Sequence, residues 1–183
     1  MGGQGSGVRG HRTSANEAQQ ILGAHFPTSI LSHIARIEKS PVEVGAIFHL
    51  QSGAKLVEQS GTGSSTGSYD YTLEDAQKAG VSPLAKDMID IHNHPGDNPM
   101  PSEQDIVSWR VRGIGKAMVV SSEGHTLLLE AARWPQDTTQ YKQVVADAFS
   151  SGYKKFGPGG VDYQVFKEGF EKLSVGGKVT LVK

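Results

Sequence analysis

Cysteine is absent from the 183 residues of this chain. That excludes disulfides, thiol nucleophiles and cysteine-ligated zinc, and it leaves the cellular compartment open. Also missing is any run near the roughly 18 apolar residues that a membrane span needs. The mildly basic opening, with Arg9, His11 and Arg12, has no apolar stretch behind it and does not read as a secretory signal. Nor is there a surplus of positive charge: 18 Lys and Arg stand against 19 Asp and Glu. Nucleic-acid binding needs clustered cations, so this balance argues against such a partner. No internal repeat with a period of about 20 to 50 residues is visible. Together these absences predict a soluble, cytoplasmic protein with no membrane partner. Delivery as part of a larger effector stays open.

Glycine is plentiful, at 23 residues, and it clusters. Residues 1–13 hold five of them, too polar and flexible to offset their own ordering entropy, so a mobile tail is expected there. The length of the remainder, 14–183, suits one domain. Ser14 and Glu17 have capping-box spacing ahead of a helix over 15–24, and Pro27 closes it. Thr28 or Ser29 would cap a second helix carrying Ile30, Leu31, Ile34 and Ile37 on one face. Strands follow at 42–50 and 54–59. The loop 60–68, nearly all Gly, Ser and Thr, is either an inert linker or a flap. Thr72 caps a short helix stopped by Gly80, and 88–94 is the next strand.

A helix over 102–112 sends Ile106, Trp109 and Val111 toward the core and ends at Gly113. Strands at 116–121 and 125–132 form a hairpin. A long helix over 138–155 points Tyr141, Val144, Val145, Ala148 and Phe149 inward. After the break at 156–160, a helix over 161–173, with Glu168, Glu171 and Lys172 on a solvated face, and a strand over 178–182 complete the chain. Interleaved strands and helices of this kind predict an α/β (α+β) fold, a mixed sheet with flanking helices.

The chemistry concentrates between residues 91 and 105. Residues i and i+2 of a strand share a face, so His92 and His94 project together while Ile89 and Ile91 go the other way. Pro95, Pro99 and Pro101 stiffen the turn that follows. Ser102 is a natural N-cap, and Asp105 lies on the same side of that first helical turn. Two imidazoles and a carboxylate suit Zn²⁺ with a fourth position open for water, so one zinc ion per chain is expected. Hydrolysis would also need a base near the ion. Asp90, on the same strand face, is a candidate for orienting one imidazole. His49 and His125 read as ordinary structural residues, and Trp109 and Trp134 as packing on the sheet.

The run His92-x-His94, seven residues, Ser102, two residues, Asp105 is the H-x-H-x7-S-x2-D pattern of JAMM metalloproteases, also called the JAB or MPN-plus domain. With Pro95 following His94 and Pro101 preceding Ser102, it resembles the RadC-like bacterial branch in particular. The resemblance covers roughly 41–132 and implies a cytidine-deaminase-like JAB/MPN sandwich, with helical extensions at both ends. It implies that His92, His94 and Asp105 bind zinc, that Glu43 is general base and proton shuttle, and that Ser102 steadies the oxyanion. The reaction it implies is hydrolysis of a peptide or isopeptide bond by a metal-activated water, on a protein or peptide substrate that includes ubiquitin-like tails. Glu58 and Glu74 compete with Glu43 for the role of base. Three other readings stay open: a RadC-like domain in a DNA-related or mobile-element setting, a toxin or effector domain, and a non-catalytic scaffold.

Overall fold

The structure, a computed structural model, describes residues 26–62, 67, 69–96, 98–122, 125–156 and 160–182. The expected helix over 15–24 and most of the 60–68 loop lie outside these residues. The described elements run α1 (Thr28–Ile37), β1 (Val44–His49), β2 (Lys55–Ser60), α2 (Leu73–Lys78), β3 (Met88–His94), α3 (Glu103–Arg112), β4 (Lys116–Ser121), β5 (Thr126–Glu130), α4 (Thr138–Phe156), α5 (Tyr163–Leu173) and β6 (Lys178–Leu181). A single-turn 3₁₀ helix, Ala85–Asp87, leads into β3.

Six strands form one mixed sheet in the order β2-β1-β3-β4-β5-β6. Neighbours are antiparallel except β3 and β4, which run parallel. A parallel pair cannot be closed by a hairpin and needs a crossover. Here α3 is that crossover, joined to the end of β3 by the proline-containing turn 95–102.

Both faces of the sheet are covered. On one, Ile30, Ile34 and Ile37 of α1 pack on Val44, Ala46, Phe48, Ile89, Ile91, Met118 and Val120. On the other, Ile106 and Trp109 of α3, Tyr141 and Ala148 of α4, and Phe166 and Phe170 of α5 cover Ala117, Val119, Leu127, Leu129 and Val179. Segments after residue 132 thus contribute directly to this core. Strand β6 extends the sheet, and Glu171 accepts from the Val179 N–H at 3.0 Å and from Lys167 at 2.5 Å. That glutamate ties α5 to β6, a role its expected place on a solvated face did not include.

Several local expectations change. Pro27, without a side-chain cap, precedes α1, and the Ser29 hydroxyl donates to the Gly53 carbonyl at 2.8 Å instead of capping. Thr72 and Ser102 do cap α2 and α3. Gly113 ends α3 at φ 71°, a left-handed conformation that a side chain would strain. Val111 is 79% exposed and Phe149 37% exposed, so neither is a core anchor. Val111 lies two residues past Trp109, a step that carries it around the helix and away from the buried stripe. Among the described residues no helix is long and apolar enough to cross a membrane.

These burial differences set the scale of mutational effects. Ile91→Ala, in the fully buried middle of β3, should destabilise by about 2–5 kcal/mol. Val111→Ala should change stability by no more than about 0.5 kcal/mol. Urea unfolding of the two variants checks this; equal costs would contradict the assignment of faces.

Candidate metal centre

Strand β3 is buried along nearly its whole length, and its alternation delivers Asp90, His92 and His94 to the α3 side of the sheet. At the strand's end the chain turns into α3, and Ser102 caps it. The Ser102 hydroxyl accepts from the Asp105 N–H at 3.2 Å and donates to Asp105 Oδ2 at 2.6 Å; that same oxygen accepts from the Ser102 N–H at 2.7 Å. Thr72 and Asp75 at α2 form the same reciprocal box. The box alone therefore carries no chemistry. What distinguishes Asp105 is that its carboxylate also faces two imidazoles.

His92 Nε2 lies 3.2 Å from His94 Nε2. Asp105 Oδ1 is 3.6 Å from His92 Nε2, and Oδ2 is 3.7 Å from His94 Nε2. Ligand atoms about 2.0–2.1 Å from a tetrahedral ion stand about 3.3 Å apart, and each of these separations is near that figure, one carboxylate oxygen facing each imidazole. Among the described residues this is the one group of three His, Asp or Glu side chains able to hold a metal ion.

The outer ring nitrogens sharpen the argument. His94 Nδ1 is 3.1 Å from the Asn98 carbonyl, which can only accept, so Nδ1 carries the proton. His92 Nδ1 is 3.3 Å from Asp90 Oδ1, which favours the same tautomer. In the neutral rings both Nε2 lone pairs then point at one another at 3.2 Å beside a carboxylate. Such an arrangement is repulsive without a cation between its members. A proton or a metal ion resolves it.

Burial works against charging His92, but Asp105 and then Asp90 outweigh it and raise its pKa well above the ordinary value. For Asp105, burial would raise the pKa, yet His92, His94 and the Ser102 hydroxyl hold it well below the usual carboxylate range.

Behind His92 stands a buried polar network that the sequence did not announce. Asp90 Oδ1 accepts from the Tyr69 hydroxyl at 2.7 Å, and Oδ2 from Arg112 at 3.3 Å. The Arg112 guanidinium also donates to the Tyr69 carbonyl and reaches Asp70 at 3.6 Å. Burial, and next Asp90, push the Tyr69 hydroxyl pKa up, so it remains a donor. Gly45 makes this possible, because a Cβ there would collide with the Tyr69 ring. Nothing in the order of residues joins Tyr69, after the Gly/Ser loop, to Arg112 at the end of α3. On its other side the His92 ring meets Trp109 at 6.0 Å between centroids.

The remaining site candidates separate by register. Gly45 pairs with His92, so odd-numbered β1 positions share the imidazole face. The β1–β2 ladder extends one residue further, the Gly61 N–H donating to the Glu43 carbonyl at 2.8 Å, and alternation then puts Glu43 on that same face. Glu43 is buried but does not belong to the converging group. Its segment is held by Asn93, the residue between the two histidines. That fully buried amide accepts from the Val44 N–H at 2.7 Å and donates to the Val42 carbonyl at 3.2 Å, bracketing Glu43.

Glu58 pairs with Ala46, hence with the opposite face, and is bound to Arg36 at 2.8 Å and Lys55 at 2.5 Å. Glu74 is an exposed partner of Lys78 at 2.7 Å. Neither competitor reaches the imidazoles. His49 bonds Ser52 at 2.9 Å, away from the site, and both tryptophans are buried as expected.

Fold and site together define a mixed α/β protein whose third strand and following helix bring together a His–His–Asp group that could hold a metal ion. No family model and no curated protein matches the sequence. The functional reading rests on the motif and on this geometry.

Two measurements bear on the centre. A divalent ion should displace the proton that relieves the 3.2 Å contact of the two Nε2 atoms, a proton that the neighbouring Asp105 and Asp90 favour on His92. Affinity should then fall as pH drops, since protons and metal compete for the same nitrogens. Titration calorimetry in two buffers of different ionisation enthalpy reads the released proton; identical heats in both would contradict the assignment. Asp90→Asn should weaken metal binding by about 10- to 100-fold, the usual cost of losing an orienting partner. Dichroism should show the fold retained.

Proposed function

We propose that this chain is a zinc-dependent metallopeptidase of the JAMM type, cleaving a peptide or isopeptide bond of a protein substrate. One observation carries the reading most directly: two imidazole Nε2 atoms and a capping carboxylate converge at 3.2–3.7 Å, with their outer nitrogens held in the metal-binding tautomer. The three residues are also those that the JAMM-like spacing would make zinc ligands. Two nitrogens, one oxygen and an open fourth position are the donor set of a catalytic zinc site, closed structural sites having four protein ligands.

A zinc ion there would polarise the scissile carbonyl and lower the pKa of a coordinated water toward about 7. The residues of the chain would do the rest. Glu43, on the imidazole face, takes the water's proton and passes it to the departing amine. Asn93 keeps Glu43 at a fixed place along β1 through its two backbone bonds. Ser102 is exposed at the mouth of the site, and its hydroxyl can turn from Asp105 to donate to the oxygen that becomes negative during attack. Asp90, Tyr69 and Arg112 hold the His92 ring in place. Ubiquitin-like tails and linear peptides are the substrates to try first.

The zinc-loaded chain should cleave at least one member of a panel of ubiquitin-like fusions and peptides, lose that activity to a chelator and regain it with zinc. Glu43→Gln should cut the rate by about 10²–10⁴-fold, the contribution of a general base, while zinc content stays at one per chain. A Glu43→Gln protein as active as the parent would sink the role given to Glu43. An inactive parent that still binds zinc would leave only a metal-binding scaffold.

A further inference from the structure

Between the first turn of α3 and the first two turns of α4 lies a cleft of about 340 Å³ that the metal chemistry leaves unused. That size is at the lower end of ligand pockets, which run from about 300 to 1,000 Å³, and suits one large side chain better than a cofactor. Its lining is mostly carbon, supplied by Pro101, Tyr141 and Val145. The Tyr141 hydroxyl donates to the buried Pro101 carbonyl at 2.6 Å. With its one polar atom so engaged, the tyrosine offers the cleft aromatic carbon. The two charged lining residues, Glu103 and Lys142, pair with each other at 2.5 Å. A charged guest would therefore find no unpaired partner among them.

The cleft neighbours the candidate metal centre through Ser102. Ser102 lines it, and the same hydroxyl donates to Asp105 Oδ2 at 2.6 Å, an oxygen 3.7 Å from His94 Nε2. Ser102 is thus the residue shared by the cleft and the His–His–Asp group, one side chain's reach apart. We infer that this cleft is a specificity subsite for a bulky apolar side chain, of the size of leucine or phenylalanine, beside the scissile amide. The inference rests on the proposed peptidase reading and adds a substrate class to it. Enclosing several methylenes in such a pocket discriminates strongly, since even one is worth about tenfold or more.

The test reads binding, so no cleavage is needed. Hydroxamates of N-acetylated glycine, leucine, phenylalanine and lysine share one zinc-chelating group and differ in the side chain alone. With the zinc-loaded chain, calorimetry should show leucine and phenylalanine hydroxamates binding at least about tenfold more tightly than glycine hydroxamate, and lysine hydroxamate no more tightly. Val145→Lys should remove the preference while leaving zinc content and glycine hydroxamate affinity unchanged. Should that variant misfold, Gln104→Trp fills the cleft from its exposed rim and should act the same way. Equal binding of all four probes overturns the subsite and leaves the metal centre standing. A preference that survives in a folded variant places the apolar contact elsewhere and also overturns it. Failure of every hydroxamate to bind a zinc-loaded chain removes the peptidase reading and this inference with it.

Discussion

The parallel pairing of β3 with β4 is the constraint on which the candidate site depends. Had the two strands been antiparallel, a short hairpin would have joined them and the chain would have left the end of β3 at once. Parallel pairing demands a crossover, and α3 supplies it, starting beside the strand end that carries His94. A helix beginning there needs an N-cap and favours a carboxylate in its first turn. Ser102 and Asp105 meet those needs, and Asp105 then has a free flank facing the imidazoles. The acidic corner of the site is thus what a well-capped helix puts there. The comparison with Thr72 and Asp75 makes the point: the same box elsewhere faces solvent and does nothing more.

Charge is concentrated behind His92 in a way that water would not permit. Asp90 is buried, and a buried carboxylate is costly unless it is bonded. Tyr69 and Arg112 meet that need, and their positions in turn fix where His92 can sit. Gly45, which gives the Tyr69 ring room to lie against β1, is thereby as much a part of the centre as any polar residue. The apolar side contributes as well, because Trp109 packs against His92 and against Trp134 at 4.8 Å, closing the ring's other flank. An imidazole fixed on both sides loses little conformational freedom when it binds an ion.

Much of this was legible in the residue order, because the signals involved are short-ranged. Alternation along 88–94 separates Ile89 and Ile91 from His92 and His94, and the Ser102–Asp105 box is three residues long. Strand and helix ends at Gly80, Gly113, Thr72 and Ser102 follow from local backbone preference. Where expectation went astray, local pattern was ambiguous. Val111 and Phe149 are apolar residues at helical positions that a wide stripe includes and the actual packing does not. Ser29 has the chemistry of a cap, but the neighbouring turn at Gly53 claims its hydroxyl.

By itself the sequence determined that His92 and His94 share a strand face, that Ser102 and Asp105 form a cap, and that the fold mixes strands and helices, since each follows from short-range pattern. Tertiary structure alone decided the rest. The β1–β2 register sends Glu58 to the wrong face and leaves Glu43 on the imidazole side, a choice that composition cannot make between two strand glutamates. Asn93 bonds a segment 49 to 51 residues away, and Tyr69 reaches Asp90 across 21. The final helices close the core over the α3 face and build the cleft beside Ser102. Contacts of that range depend on which strands lie side by side and in which register. Register is settled by the packing of both sheet faces together, a property of the whole chain that no short window of it contains.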